Sequence, residues 1–299
     1  MLQSKNRYEV SVVIPTYNRR EILSYTLLSL IKQDTDKDRF EVVVVDDGST
    51  DGTREMVATY QDRLNLSYYF LKDSEHAPAT ARNHGILNAE GRIVLFVDSG
   101  VILKSDCVSA HIDFYEKRPS GATAVGYVYG IFAPVDVEEK MLKLIVTDDP
   151  TECFRRLSND KIFMDYRDRH YPIYNDQLQD LPAPWFYYWG CHISANRQDL
   201  VDVGLFDENY NGNWGVEDND LGFRLQQRGI RTYLLRNAQA IHYPHYRNWE
   251  NMTKQGTKNC IYFHNKFPTL ETELFLRYYM HPDFMDINEM ALNRQLLEK

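Results

Sequence analysis

The chain has 299 residues, 43% hydrophobic and 26% charged, enough for one large α/β domain of ordinary globular composition. Its net charge of −9 speaks against a general nucleic-acid surface, and no apolar run approaches the length of a membrane span. The four cysteines (Cys107, Cys153, Cys191, Cys260) are far apart with no CxxC pair, so neither a cysteine zinc site nor a disulfide framework is expected, and they read as buried small hydrophobes of a reducing compartment. The first seven residues hold no apolar h-region, so the expectation is a cytoplasmic protein without a secretory signal.

Three β-branched runs come early, and each ends in polar residues. Residues 10–15 lead into Thr16-Tyr17-Asn18, 40–45 into Asp46-Asp47-Gly48-Ser49, and 93–97 into Asp98-Ser99-Gly100. Such runs predict strands buried on both faces of a parallel sheet. Between them, 19–33 sets Ile22, Leu23, Leu27, Leu30 and Ile31 on one helix face, and 54–62 does the same with Met56, Val57 and Tyr60. Residues 66–71 predict a further strand, and 79–89 a helix with Ala81, Ile86 and Leu87 inward. This rhythm implies a doubly wound α/β sheet with right-handed crossovers, which binds ligands outside its carboxyl strand ends.

Beyond residue 104 the pattern loosens. A helix is predicted over 105–117 and a strand over 122–132, where Gly126 and Gly130 permit close approach. The polar stretch 147–184, rich in Asp, Arg and Tyr, reads as a long functional loop or lid rather than core. An aromatic cluster at 185–189 precedes a strand at 191–195. A helix follows at 217–228, then two short strands at 230–235 and 238–242, and a helical extension over 251–299 with helices at 269–280 and 287–297.

Each polar cluster has a bland reading beside a chemical one. Asp47 can accept from a uracil N3–H or a ribose hydroxyl, yet Asp-Gly is also a turn former. Asp98 can hold a divalent cation near a diphosphate, or simply start a turn. Arg82 can contact phosphate or orient Asp98, or lie solvated on its helix. Glu217, Asp218 and Asp220 crowd three carboxylates into one helical turn. Their repulsion raises at least one proton affinity, whereas the helix dipole favours acids there, which is the preferred reading for Asp220. Leu221 and Leu225 are placed to anchor that helix. His242 and His245 suit a metal or a core hydrogen bond. The 185–189 aromatics suit core packing or a sugar face.

In this order and spacing the segments resemble the family-2 glycosyltransferases of GT-A fold, over roughly residues 9–245, with a galactosyltransferase-type C-terminal segment. The resemblance rests on residues 11–18, on Val44-Val45-Asp46-Asp47-Gly48-Ser49, on Ala81-Arg82-Asn83 and on Leu95-Phe96-Val97-Asp98. Further on it rests on residues 190–197, on Val203-Gly204-Leu205-Phe206-Asp207-Glu208 and on Trp214-Gly215-Val216-Glu217-Asp218. It implies a Rossmann-like, mostly parallel sheet with helices on both faces. Residues 1–104 would form the nucleotide-sugar half, 105–250 the acceptor half, and 251–299 the extension. It further implies Pro15, Thr16, Tyr17, Asp47, Arg82, Asp98 and Ser99 at the nucleotide, Glu217, Trp214 and Trp189 at the acceptor, and Asp218 as catalytic base. Asp98 with His242 or His245 would hold Mn²⁺ or Mg²⁺. Gly100 departs from the pattern, because it stands where the family places the second Asp of its DxD motif, the principal metal ligand.

The resulting expectation is an inverting, hexosyltransferase-type enzyme with a UDP-sugar donor. The acceptor is open among saccharide, lipid, peptide and small natural product, and the segment 147–184 is the expected lid. Gly100 motivates the alternative of a sugar-nucleotide-binding protein without turnover. A nucleotidyltransferase ranks last, since the loop Thr16-Tyr17-Asn18-Arg19-Arg20 lacks glycine for a triphosphate. The C-terminal helices could either form a homodimer or close the acceptor site.

Overall fold

The structure, a computed structural model, describes residues 6–72, 77–279, 281 and 283–297; residues 1–5 of the expected leaderless N-terminus and residue 280, the end of one predicted helix, lie outside them. The first half follows the apolar pattern closely. Strand β1 (Tyr8–Thr16), helix α1 (Arg20–Ile31), β2 (Phe40–Asp46), α2 (Thr53–Ala58), β3 (Leu66–Phe70), α3 (Pro78–Asn88) and β4 (Gly91–Val97) alternate along the chain. Strand β5 (Val101–Leu103), α4 (Cys107–Lys117), β6 (Ala122–Tyr129), α5 (Val135–Leu144) and α6 (Pro150–Leu157) follow. Then come β7 (His192–Asn196), α7 (Arg197–Asp202), α8 (Glu217–Gln227), β8 (Arg231–His242), α9 (Trp249–Lys266), α10 (Leu270–Tyr278) and α11 (Ile287–Leu297).

Among the described residues, eight strands form one sheet in the order β3-β2-β1-β4-β7-β6-β8-β5. The β3-β2-β1-β4 half is parallel, whereas β7 runs antiparallel to both of its neighbours. Alternate residues of the central strands enter opposite layers, as the period of two requires. Val12, Val44 and Leu95 pack under α1 and α4, while Val13, Val43 and Phe96 pack against α3 and α8. Leu221 and Leu225 of α8 are wholly buried there, as expected, each contributing about 2 kcal/mol. In register, Thr16 stands beside Asp46, so the polar strand ends meet along one edge of the sheet.

Several expectations need correction. Helix α2 stops at Ala58 rather than 62, and β6 stops at Tyr129 rather than 132. Leu87 is 56% exposed, because it follows Ile86 by about 100° around α3 and leaves the buried face. The two short strands after 230 are one strand, β8. Its pairing with β6 jumps between Gly126 and Tyr127, a bulge that absorbs residues 236–238. Strand β5 and helix α5 were not anticipated.

The largest correction concerns 147–184, which is packed core rather than a polar loop outside it. It holds α6 and short 3-10 turns, and it buries Cys153, Phe154, Leu157, Phe163, Tyr171, Leu178 and Leu181 in one cluster with Trp185. Arg167 and Asp165 are both inaccessible to solvent. Arg167 donates to the two Asp165 oxygens at 2.9 and 2.7 Å, and to the carbonyls of Tyr187 and Gly126. A charged pair so fully bonded can sit in a core, although losing either partner costs about 3–5 kcal/mol. The tail joins the same cluster through Phe263, Leu274, Phe275, Ile287 and Ala291. Among the described residues no helix is long and apolar enough to cross a membrane.

Candidate active site

A cavity of about 760 Å³ opens at the carboxyl ends of β1, β2 and β4, and every residue singled out above as a site residue lines it. At the carboxyl end of β2, Asp46 and Asp47 divide their work. Asp46 is structural, accepting from the Ser49 amide and the Tyr68 hydroxyl. Asp47 faces the cavity and accepts from the Ala77 amide, which fixes the start of α3. Pro15 and exposed Tyr17 flank it, and the buried Thr16 hydroxyl has no partner among the described residues. The Ser99 hydroxyl is committed to the Pro15 carbonyl at 2.7 Å, tying the ends of β1 and β4 together.

Arg82 is the hinge of the site. It is buried, stacks over Phe206, and bridges two elements: Nη1 donates to Glu217 at 2.8 Å and Nη2 to Asp98 at 3.0 Å. The second Glu217 oxygen, Oε2, is buried without a partner among the described residues. Gly215 and Val216 both adopt positive φ (80° and 79°) immediately before α8. That conformation strains a β-branched residue, and strain of this kind persists where surrounding contacts enforce it. Here the enforcing contact comes from the tail, since Asn259 of α9 donates to the Gly215 carbonyl at 2.7 Å.

The bend turns Asp218 into the cavity, where it accepts from the Gly190 amide at 2.7 Å and the Asn219 amide at 2.8 Å. Burial, then the neighbouring Glu217, push its carboxyl up to about 7, against the lowering effect of the amides and Arg82. Asp220, one residue beyond Asn219, is structural as expected, held by Arg224, Lys266 and the Tyr210 hydroxyl.

At the third strand end, Gly100 has φ 95°, and a Cβ there would come within 3.1 Å of Ile22 on α1. An aspartate at this position would be strained and would start towards the helix. The histidines differ in readiness. Nδ1 of His242 lies 3.0 Å from an Arg247 nitrogen that can only donate, so that lone pair is used. Nδ1 of His245 lies 3.1 Å from the Tyr243 carbonyl, which fixes its proton there and leaves Nε2 bare. Burial, with Arg19 and Arg247 adding to it, pushes His245 down to about 4, so it is neutral at pH 7. Asp98 and His245 therefore offer two donors of the right kind for a divalent cation.

Another wall of the cavity is aromatic. Trp185 is core, whereas Trp189 and Trp214 face the cavity with Phe132, Trp249 and Phe284. Arg167 stacks over Trp189 at 4.8 Å, so the buried ion pair supports this wall. Phe132, Phe284, Trp249, Arg19 and Arg247 were missed. The single usable signal was local, in that Arg247 and Trp249 follow His245 at once.

Residues 11–188 match the family model described as Glycosyl transferase family 2. The chain belongs to that family. Residues 175–248 match a second model, described as N-terminal domain of galactosyltransferase. A validoxylamine A glucosyltransferase of Streptomyces hygroscopicus subsp. jinggangensis (strain 5008) is 36% identical over 266 residues. That match covers 89% of this chain, which spans 63% of the relative's length. Among solved structures, S. aureus TarS 1-349 in complex with UDP-GlcNAc superposes with TM-score 0.59 at 24% identity, covering 86% of this chain and 67% of that one. The mannosyltransferase PcManGT from Pyrobaculum calidifontis, in complex with GDP-Man and Mn²⁺, gives 0.62 at 18%, covering 98% and 76%. The fold is the expected GT-A fold.

Proposed function

We propose that this chain is an inverting glycosyltransferase that moves a sugar from a UDP-sugar to an acceptor nucleophile in one displacement, with Asp218 as general base. The observation that carries this reading is the Asp218 carboxylate, partly buried beside Glu217, held by two backbone amides and raised to about 7, in one cavity with the strand-end residues. A base poised near the working pH combines a useful ionised fraction with proton affinity. Asp218 takes the acceptor proton as the acceptor atom attacks the anomeric carbon, on the face opposite the departing UDP. The unpartnered Glu217 Oε2 is suited to orient the acceptor hydroxyl. Asp47, Thr16 and Tyr17 hold the uridine, and Arg82 keeps Asp98 beside the ribose and diphosphate.

Positive charge at the diphosphate comes from Arg19 and Arg247, which line the cavity with Asp98 and His245. When bound at Asp98 and His245, a divalent cation supplies further neutralisation of the leaving diphosphate. The bound UDP-GlcNAc of the TarS structure supports the donor class, and the Mn²⁺ of PcManGT supports the cation. The test is UDP release from a panel of UDP-sugars with Mn²⁺ or EDTA. Release from at least one donor in the presence of acceptors is expected. UDP binding with no release from any donor would instead favour the non-catalytic reading that Gly100 raises.

With only two protein donors, metal affinity depends strongly on each. His245→Ala is expected to raise the Mn²⁺ concentration for half-maximal activity about tenfold or more, in line with the loss of a ligand or its support. His242→Ala is expected to leave that concentration within about threefold, since its free nitrogen is already bonded to Arg247. Equal sensitivity of both variants in a Mn²⁺ titration would refute the assignment.

A further inference from the structure

Outside the cavity, Cys107, His111 and His192 meet in the core, all inaccessible to solvent. Cys107 and His111 lie four residues apart on one face of α4, and His192 begins β7 opposite Val97. Nε2 of His192 is 3.1 Å from Nε2 of His111 and 3.4 Å from Sγ of Cys107, and the three ligand atoms lie within 4.8 Å of one another. An imidazole nitrogen carries one lone pair or one proton, so His192 Nε2 cannot satisfy both approaches by hydrogen bonding. A metal ion bound by all three would satisfy both, because it draws one lone pair from each atom. Bonds of about 2.0 Å to nitrogen and 2.3 Å to sulfur give ligand–ligand edges of about 3.3–3.8 Å. The 3.4 Å separation falls inside the edge range that such bonds set, and the 3.1 Å separation lies about 0.2 Å below it.

The surroundings are built to the same end. His111 Nδ1 is held by the Ser194 hydroxyl at 2.9 Å, which aims Nε2 at the other two groups. The Ser194 backbone carbonyl accepts from Tyr115 and Thr123, and the Tyr115 hydroxyl also lies 3.1 Å from the Ser194 hydroxyl. The His192 ring packs where Gly126 leaves room, since a Cβ there would overlap it at 2.2 Å. His192 Nδ1 has no partner among the described residues, and it carries the proton whenever Nε2 is bare.

We propose that Cys107, His111 and His192 form a structural site for a d¹⁰ metal ion, Zn²⁺ or Cu⁺, bound by one thiolate and two neutral imidazoles. One sulfur, two nitrogens and no carboxylate select a borderline or soft ion over Mn²⁺ or Mg²⁺. With a thiolate, Cu⁺ leaves the buried site neutral, whereas Zn²⁺ leaves one positive charge. The ion would clamp α4 to β7 two residues along the chain from Gly190, whose amide binds Asp218. No CxxC spacing announces the site, because its ligands come from an i, i+4 pair and a residue about 80 positions away.

The test begins with elemental analysis of the full-length protein, purified in reductant and passed over a desalting column. About one equivalent of zinc or copper is expected, with Cys107→Ser losing it, since structural sites hold their ions tightly. Protein refolded with Co²⁺ is expected to show a near-ultraviolet thiolate-to-cobalt band that Cys107→Ser lacks. The cation pair at Asp98 and His245 has no sulfur and cannot produce this band. Refolding with Zn²⁺ or with Cu⁺ in parallel identifies the ion by which one raises the unfolding temperature. Wild-type protein that carries neither metal and shows no thiolate band would overturn the proposal. That result does not depend on whether any variant folds.

Discussion

Asp218→Asn lowers sugar transfer about 10²–10⁴-fold, the range for removing a general base, and leaves UDP affinity unchanged. The carboxylate touches the Gly190 and Asn219 amides rather than the strand ends that would hold the nucleotide, so the loss should fall on kcat. The wild-type rate should rise with pH through about 7 and level off above it, because Asp218 must be ionised to take a proton. Stability should move the other way. Burial and Glu217 raise the folded-state pKa far above the unfolded value of about 3.9, so the native state binds this proton more tightly. The favourable contribution is complete below the unfolded pKa and is lost as pH rises through about 7. At neutral pH the wild type therefore carries a penalty that asparagine removes. Urea titration should show Asp218→Asn at least as stable as wild type, and more so at pH 8 than at pH 5. An inactive variant of unimpaired stability separates loss of the base from loss of the fold. Full activity in Asp218→Asn would end its assignment as base.

What the sequence revealed and what it hid divide along one physical line. Pro15, Thr16, Asp47 and Asp98 were legible because each follows a β-branched run, and a parallel sheet carries all such ends to one edge. Asp218 was legible because Leu221 and Leu225 fix the face of its helix. In contrast, Arg167 and Asp165 fell in the stretch that read as a polar functional loop or lid rather than core. Pairing between two charges leaves no trace in hydropathy, and the bonds that bury them reach Tyr187 and Gly126, far along the chain. Phe132 and Phe284 were hidden for a related reason: both have positive φ and reach the cavity through local backbone turns rather than a helix or strand period. The tail was legible as helices, with closing the acceptor site as one of two roles left open for it, and its residues Gln255 and Phe275 line the cavity. Its role emerges only where Asn259 grips the Gly215 carbonyl and Lys266 pairs with Asp207 and Asp220.

Arg82→Met should be the most disruptive substitution in the cavity. Its guanidinium is the bridge between Glu217, at the base end, and Asp98, at the donor end. Methionine fills similar space but strands Glu217 as a buried carboxylate, and breaking such a pair from one side costs about 3–5 kcal/mol. Restoring charge balance tests that cause. Adding Glu217→Gln to Arg82→Met should recover most of the lost stability in a urea titration, since no buried charge is then unpaired, while transfer stays at least about 10²-fold down because Asp98 has lost its partner and the acceptor contact is altered. Arg82→Lys should fold, yet one ammonium cannot hold two carboxylates in the geometry of a planar fork, so kcat/KM should still fall about 10-fold or more. If the double variant is no more stable than Arg82→Met alone, the bridge does not act by neutralising Glu217. If Arg82→Lys retains full kcat/KM, a positive charge suffices and the two-ended geometry is unnecessary. The bridge predicts neither result, because it fixes the base helix and the donor carboxylate with one rigid group.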